Sequence, residues 1–169
     1  METAVERIAS SAAFRRTHPG EGDVLPVAIR RVLLATDLSR ASEQAAVEAI
    51  RLAAESGAQL VVLSVIDHRL LRLPGGRFLR RVDQERARVE AGAQVLVARA
   101  RGAGARATFM VWEGDPAEAI LAASEAEEVD VIVLGANSRS LLGRLVLGST
   151  SARVSEHAHC EVMVFAASA

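Results

Sequence analysis

The sequence has little of what several classes of protein need. Its 169 residues include no tyrosine, no lysine, one cysteine and one tryptophan. A single cysteine excludes an intramolecular disulfide and a metal cluster held by cysteines. Scarce aromatic residues disfavour a surface that stacks nucleic-acid bases. The formal net charge of −1 gives no reason to expect nucleic acid or a membrane surface as a partner.

Long apolar runs are also missing. No run approaches the roughly 18 residues of a membrane span, and residues 1–16 lack the continuous apolar core of a secretion signal. We therefore expect a cytoplasmic protein. Residues 17–23 contain one proline and two glycines, which is typical of a linker. We predict a loosely ordered or helical N-terminal extension over residues 1–28 and one domain over residues 29–169.

Familiar catalytic patterns are absent as well. Without lysine there is no Gly-Lys-Ser phosphate loop, and no serine stands in a nucleophile elbow. Fast phosphoryl transfer needs a cation clamp and a positioned base, so we assign no catalytic residue and do not expect an efficient ATPase. A slow hydrolase or nucleotidyl transferase stays open. His157 and His159 flank a position next to the lone cysteine, but helix-end capping explains them better than a metal.

What the chain does contain is a regular alternation of strand and helix patterns. Short apolar runs predict buried strands at 31–36, 60–66, 105–112, 129–134 and 161–166. Helical periodicity predicts helices at 40–56, 78–101, 116–127 and 149–157. Ser39 is the expected N-cap of the first helix, and Gly57 is expected at its C-terminal end. Asp115 and Pro116 are expected to open the third helix.

This alternation predicts an α/β fold with a Rossmann-like core. We expect a five-stranded parallel sheet of order 3-2-1-4-5 with helices on both faces. The winding reverses between strands one and four, and ligands of such sheets bind at that reversal, outside the carboxyl ends of the strands. Thr36 and Asp37 end strand one, and Gly135 ends strand four. These residues should therefore meet at a pocket.

Residues 135–150 form a glycine-bearing loop that leads into the last predicted helix. Such a loop lets backbone N–H groups approach an anion, and a helix N-terminus adds unpaired donors. Ser149 and Thr150 are thus candidates for phosphate contact, with a plain N-cap role as the alternative. Arg139 and Arg144 are candidates to pair with phosphate, with exposed loop arginines as the alternative. Seven arginines between residues 69 and 88 are interpreted as a solvated surface.

Several separated segments resemble the universal stress protein family of the adenine nucleotide α-hydrolase-like superfamily, over about residues 29–166. The segments are 32–39 (VLLATDLS), 62–67 (VLSVID), 113–116 (EGDP), 131–135 (VIVLG), 147–149 (LGS) and 157–162 (HAHCEV). The ATP-binding branch carries a glycine, two residues, a glycine, nine residues, a glycine, and then Ser or Thr. Gly135, Gly148 and Ser149 match this spacing, and Ser138 stands where the second glycine belongs.

The resemblance implies an ATP-binding protein of stress response or signalling, with Mg²⁺ as an open addition. By this likeness Asp37 contacts the ribose, the backbone of Val65 meets the adenine edge, and Leu134 and Gly135 lie near the ribose. The implied phosphate contacts are Ser138, Gly148, Ser149 and Thr150. From the residues alone, the alternative for Asp37 is a turn or N-cap residue.

The serine at position 138 departs from the family pattern. A Cβ held at positive φ costs on the order of 1 kcal/mol, whereas a hydroxyl that donates to phosphate gains roughly 0.5–1.5 kcal/mol. We expect nucleotide binding to survive this change, with an affinity that need not equal that of a site with all three glycines, and to order residues 136–147. The alternative is a nucleotide-free interaction module that acts as a homodimer. The apolar edge strand Glu161 to Phe165 favours a dimer, and the family likeness implies one through the same strand.

Overall fold

The computed structural model describes residues 28–67, 78–136 and 148–166. Most of the predicted N-terminal extension lies outside these ranges, so the domain boundary stays a prediction. The elements in chain order are β1 (Arg31–Ala35), a short 3-10 turn (Arg40–Ser42), α1 (Glu43–Ser56), β2 (Gln59–Ile66), α2 (Phe78–Gly102), β3 (Arg106–Glu113), α3 (Pro116–Ala126), β4 (Val131–Ala136), α4 (Ser149–His157) and β5 (Glu161–Ala166).

The five strands form one parallel sheet in the order β3-β2-β1-β4-β5. This confirms the predicted fold class and strand order. The three inner strands, β2, β1 and β4, are largely buried. Their burial on both faces explains why they stand out in the sequence as continuous apolar runs.

Two core layers cover the sheet, one on each face. Val32 and Leu34 of β1 pack with buried alanines of α1 and α2. Leu33, which points to the opposite face, packs with Ile120 of α3 and Val154 of α4. Within the described ranges, no helix combines the length and apolarity needed to cross a membrane.

The start of the first helix differs from the prediction. A 3-10 turn precedes α1, and the hydroxyl of Ser39 makes no capping hydrogen bond. Instead, the side chain of Ser42 turns back to donate to the carbonyl of Ser39 at 2.9 Å, which closes the tighter turn. The other two expectations are confirmed: Gly57 ends α1 with φ of 71°, and Asp115 is the N-cap of α3.

Asp115 also ties α3 to α4. Its Oδ1 accepts the N–H groups of Ala117 and Glu118 at 3.0 and 3.2 Å. Arg153 of α4 donates to both oxygens of the same carboxylate, at 3.0 and 3.1 Å. Both contacts come from Nη1 of Arg153, and this ion pair links α4 to the N-terminus of α3.

Candidate functional site

A cavity of about 630 Å³ lies at the carboxyl ends of β1, β2 and β4. Eight of the ten predicted site residues line it: Thr36, Asp37, Val65, Leu134, Gly135, Gly148, Ser149 and Thr150. The other two, Ser138 and Arg139, lie outside the described residues, as does the predicted ordering of the loop over residues 137–147. Thr36, Asp37 and Gly135, which the sequence predicts to meet at a pocket, thus lie around one cavity together with Ser149.

A relay of hydroxyl groups shapes the wall that follows β1. The amide of Leu38 donates to Thr36 Oγ1 at 3.0 Å, and Thr36 Oγ1 lies 2.9 Å from Ser42 Oγ. Because the hydroxyl of Ser42 donates to the carbonyl of Ser39, Thr36 is the donor to Ser42. The hydroxyl of Thr36 is thus occupied in positioning the residue that follows it, and a ligand contact of Thr36 stays a prediction.

Asp37 sits in a strained turn at the mouth of the cavity. Its Oδ1 accepts the amide of Ser39 at 3.0 Å, so the turn interpretation of this residue is correct. The next residue, Leu38, has φ of 61°, a left-handed conformation that costs a non-glycine residue on the order of 1 kcal/mol. The side chain of Leu38 lies against Gly92 of α2, where a Cβ would come within 2.6 Å of Leu38 Cδ1. Helix α2 thereby holds the turn in place.

The carboxyl group of Asp37 is held in its ionised form. Burial alone would raise its pKa, but hydrogen bonds, chiefly from the side chain and amide of Ser39, bring the pKa below its ordinary value of 3.8. At neutral pH the group is therefore an acceptor only. Such a carboxylate suits the hydroxyl groups of a sugar.

Replacing Asp37 with asparagine tests this electrostatic arrangement. We expect the free energy of unfolding of the variant to be about 0.5–1 kcal/mol lower than that of the wild type at neutral pH, because a neutral acceptor replaces a charged one. Since the folded-state pKa is depressed, the difference from the wild type should persist above pH 4 and shrink as the pH falls below 3.8. Urea unfolding at stepped pH measures it. A difference that is constant throughout the acid range would contradict the assignment.

The backbone of β2 extends past the end of β1. Strand β1 ends at Ala35, opposite Leu63, whereas β2 continues to Ile66. The carbonyl of Leu63 points toward β1, since it accepts the amide of Thr36 at 2.9 Å. Backbone groups alternate sides along a strand, so the N–H and C=O of Val65 also point that way, where β1 offers no residue. They are directed into the crevice.

The opposite wall is the N-terminus of α4. Its N-cap is Gly148, which has no side chain to accept the first N–H groups of the helix. Gly148 has φ of −62° and ψ of 160°, a conformation open to any residue. Its lack of a side chain therefore matters for the space in front of the helix and not for the backbone conformation. Ser149 is exposed, and the hydroxyl of Ser151 bonds back to the carbonyl of Gly148 at 3.1 Å.

Gly135 has a packing role that the sequence pattern did not reveal. A Cβ on this residue would lie 2.8 Å from Ser42 Cα and 3.2 Å from the carbonyl oxygen of Ala41. The absence of a side chain lets β4 pass directly against the 3-10 turn. Gly135 is therefore needed for β4 to pack against the 3-10 turn, with or without a ligand in the cavity.

Ser42, Ser64, Glu85 and Arg88 are among the lining residues that sequence reasoning missed. Ser64 donates to the carbonyl of Thr36 at 2.9 Å, which ties β2 to the end of β1. Arg88 belongs to the segment interpreted as a solvated surface. Its side chain is 57% exposed, yet it also faces the cavity. No pattern along the chain identifies these contacts, because they depend on how α2 and β2 pack against β1.

His157, at the end of α4, caps that helix. His157 Nδ1 donates to the carbonyl of Arg153 at 2.8 Å, which confirms the predicted helix-end capping. Over the described ranges, no three histidine, cysteine or acidic residues converge in a way that would hold a metal ion.

Residues 28–166 match the model of the universal stress protein family. A universal stress protein from Thermus aquaticus is 34% identical over 144 residues, which cover 80% of this chain and 97% of the relative. The solved structure of universal stress protein UspA from Lactobacillus plantarum superposes with a TM-score of 0.73 at 26% identity, covering 82% of this chain and 99% of the other. A universal stress protein in complex with cAMP shares the fold, with a TM-score of 0.64 at 24% identity over 84% of this chain and all of the other.

Proposed function

Since the chain belongs to the universal stress protein family, we propose that it binds ATP in the cavity beyond β1 and β4, in a stress-response or signalling role without efficient turnover. The observation that carries this proposal is the meeting of Asp37, the exposed backbone of Val65 and the uncapped N-terminus of α4 around one hollow. A nucleoside triphosphate has a partner for each of the three.

The nucleoside half of the ligand suits the wall formed by β1 and β2. Val65 offers an N–H donor and a C=O acceptor, which match the acceptor N1 and the donor amino group of adenine. The carboxylate of Asp37 accepts from ribose hydroxyls, and its lowered pKa keeps it charged. Leu134 and Ile120 add apolar surface to the lining of the cavity. The solved complex of a universal stress protein of the same fold with cAMP supports an adenine nucleotide as the ligand of this site.

The triphosphate half suits α4. The first N–H groups of the helix have no side-chain cap, because Gly148 has no side chain. The hydroxyl groups of Ser149 and Thr150 are further donors. The described lining carries three carboxylates, those of Asp37, Asp67 and Glu85, and one guanidinium, that of Arg88. Backbone and hydroxyl donors therefore carry the phosphates in the described part of the site. Arg139 would add charge from the loop outside it.

Slow turnover follows from the same residues. Asp37 is ionised and already accepts the amide of Ser39, and the proposal places it at the ribose, away from the phosphates. No other described lining residue combines a base with a place beside α4. Mg²⁺ bound to the phosphates would shield their charge, and the hydroxyls of Ser149 and Thr150 would be oxygen ligands for it among the described lining residues.

Titration of the purified protein with ATP tests the proposal. We expect saturable binding below millimolar ATP by calorimetry, and a mass spectrum of protein purified without added nucleotide showing bound ATP or a hydrolysis product. Repeating the titration with EDTA decides whether Mg²⁺ takes part, and GTP in place of ATP tests the choice of base. Absence of saturable binding at millimolar ATP would contradict the proposal.

A second role, compatible with the first, is homodimer formation through β5. This strand ends the sheet, and its four apolar residues, Val162 to Phe165, are only partly buried. An apolar edge strand pairs readily with a second copy. A nucleotide-free homodimer is the form this protein would take if ATP failed to bind.

Light scattering across a concentration series checks the dimer. The expected mass is twice the 17.9 kDa of the chain, with and without ATP. Replacing Met163 with lysine should shift the protein toward monomer, because a charge would be placed in the edge strand. A wild type that is monomeric at high concentration would remove the dimer and leave the nucleotide proposal standing.

A further inference from the structure

One planar cation faces the cavity from α2. Arg88 Nε and Nη2 donate to the two oxygens of Glu85, at 3.0 and 2.5 Å. This pairing across one turn fixes the guanidinium plane and raises the pKa of Arg88, to which the charge of Asp37 adds. The group is thus permanently charged and held in one orientation.

The position of Arg88 places it above the nucleoside half of the cavity. Gly92, the point where α2 contacts the turn of Asp37 through Leu38, is four residues further along the helix. Residues four apart lie on the same face of a helix. Arg88 therefore sits one helical turn from that contact, on the Asp37 side of the site and away from the N-terminus of α4.

A nucleotide base bound in this cavity would be stabilised by a planar group stacked on its face. None of the described lining residues is aromatic, and the nearby apolar ones, Val65, Val89 and Ile120, are branched aliphatic side chains. Guanidinium groups stack on planar rings, and they lose less hydration than an ammonium group when they do so. Among the described lining residues, Arg88 is the one with a planar side chain of this kind.

We propose that Arg88 stacks on the base of the bound nucleotide, with Glu85 holding the guanidinium plane in place. The proposal rests on the proposed nucleotide binding and adds to it a determinant of affinity that comes from α2. Arg88 contacts the nucleoside half and makes no contact with the phosphates.

The matched variants are R88A, R88K and R86A. We expect R88A to weaken ATP binding about tenfold, and R88K to recover little of the loss because an ammonium group has no plane to stack. R86A is the control: Arg86 pairs with Glu113 and does not line the cavity, so its affinity should equal that of the wild type. The ion pairs of Arg86 and Arg88 are both solvent-exposed and such pairs contribute little to stability, so all three variants should melt close to the wild-type temperature, which thermal unfolding checks.

Salt separates stacking from phosphate pairing. The ratio of the R88A and wild-type dissociation constants should be the same at about 0.05 and 0.5 M salt, because a phosphate ion pair would be screened across this range and a stacked contact far less. Adenosine, used as a competitor, should show the same ratio as ATP.

Three results would overturn the stacking proposal while leaving ATP binding intact. They are equal affinity of R88A and the wild type, full recovery in R88K, and a loss in R88A that disappears with salt or with adenosine. A wild type that fails to bind ATP would overturn both proposals, so the two failures are distinguishable.

Discussion

Replacing Gly148 with valine is expected to weaken ATP binding about 100-fold, which corresponds to roughly 2.8 kcal/mol. The valine side chain would fill the space in front of α4, where the phosphates reach the first N–H groups. Loss of two charge-assisted hydrogen bonds accounts for an effect of this size. Because φ of −62° and ψ of 160° suit valine, the unfolding free energy should change by less than about 1 kcal/mol. Calorimetric titration and urea unfolding measure the two quantities.

The control for this experiment is Gly102→Val. Gly102 ends α2, lies outside the cavity, and has open space around the position of a Cβ. ATP affinity of this variant should equal that of the wild type. If Gly148→Val bound ATP as tightly as the wild type, the phosphates would have to lie elsewhere, and the proposed use of α4 would be wrong.

Replacing Gly135 with alanine is expected to lower the unfolding free energy by about 1–3 kcal/mol, the usual cost of forcing one methyl group into packed structure. The new Cβ would meet Ser42 Cα at 2.8 Å, and backbone atoms cannot rotate aside as the end of a side chain can. Either β4 or the 3-10 turn must therefore shift. The midpoint of urea unfolding should fall without a change in the slope of the transition.

Gly102→Ala provides the comparison for this second variant. Nothing lies within 4 Å of its new Cβ, and alanine is favoured over glycine in a helix by about 0.5–1 kcal/mol. This variant should be at least as stable as the wild type. If Gly135→Ala were equally stable, the glycine would be required for the ligand and not for packing.

The strands were predictable because burial on both faces leaves a continuous apolar run. Each of β1 and β4 carries its own signal, and the strand order follows from the alternation with helices and the handedness of the crossovers. The edges of elements were harder to predict. The fourth strand was predicted to begin at Val129, but it begins at Val131. The amide of Val129 donates instead to the carbonyl of Ser124 in the turn after α3.

The candidate site was predictable only in part, for a physical reason. Asp37, Gly148 and Ser149 stand at element ends, where fold rules alone bring them together. Arg88 lies in the interior of a long helix, and it reaches the site because α2 packs on the turn around Leu38. Its neighbours Glu85, Arg86 and Glu90 are charged, so the local pattern indicates solvent. Contacts that arise from packing between distant elements leave no periodic signal in the chain.

The ion pair between Arg153 and Asp115 makes the start of α3 a reporter for events at α4. Asp115 holds the amides of Ala117 and Glu118 while it also holds Arg153. A tilt of α4 that stretches this pair loosens those two amides, although neither Ala117 nor Glu118 lines the cavity. Their rates of deuterium uptake would register how α4 moves when an anion arrives, without any label at the cavity.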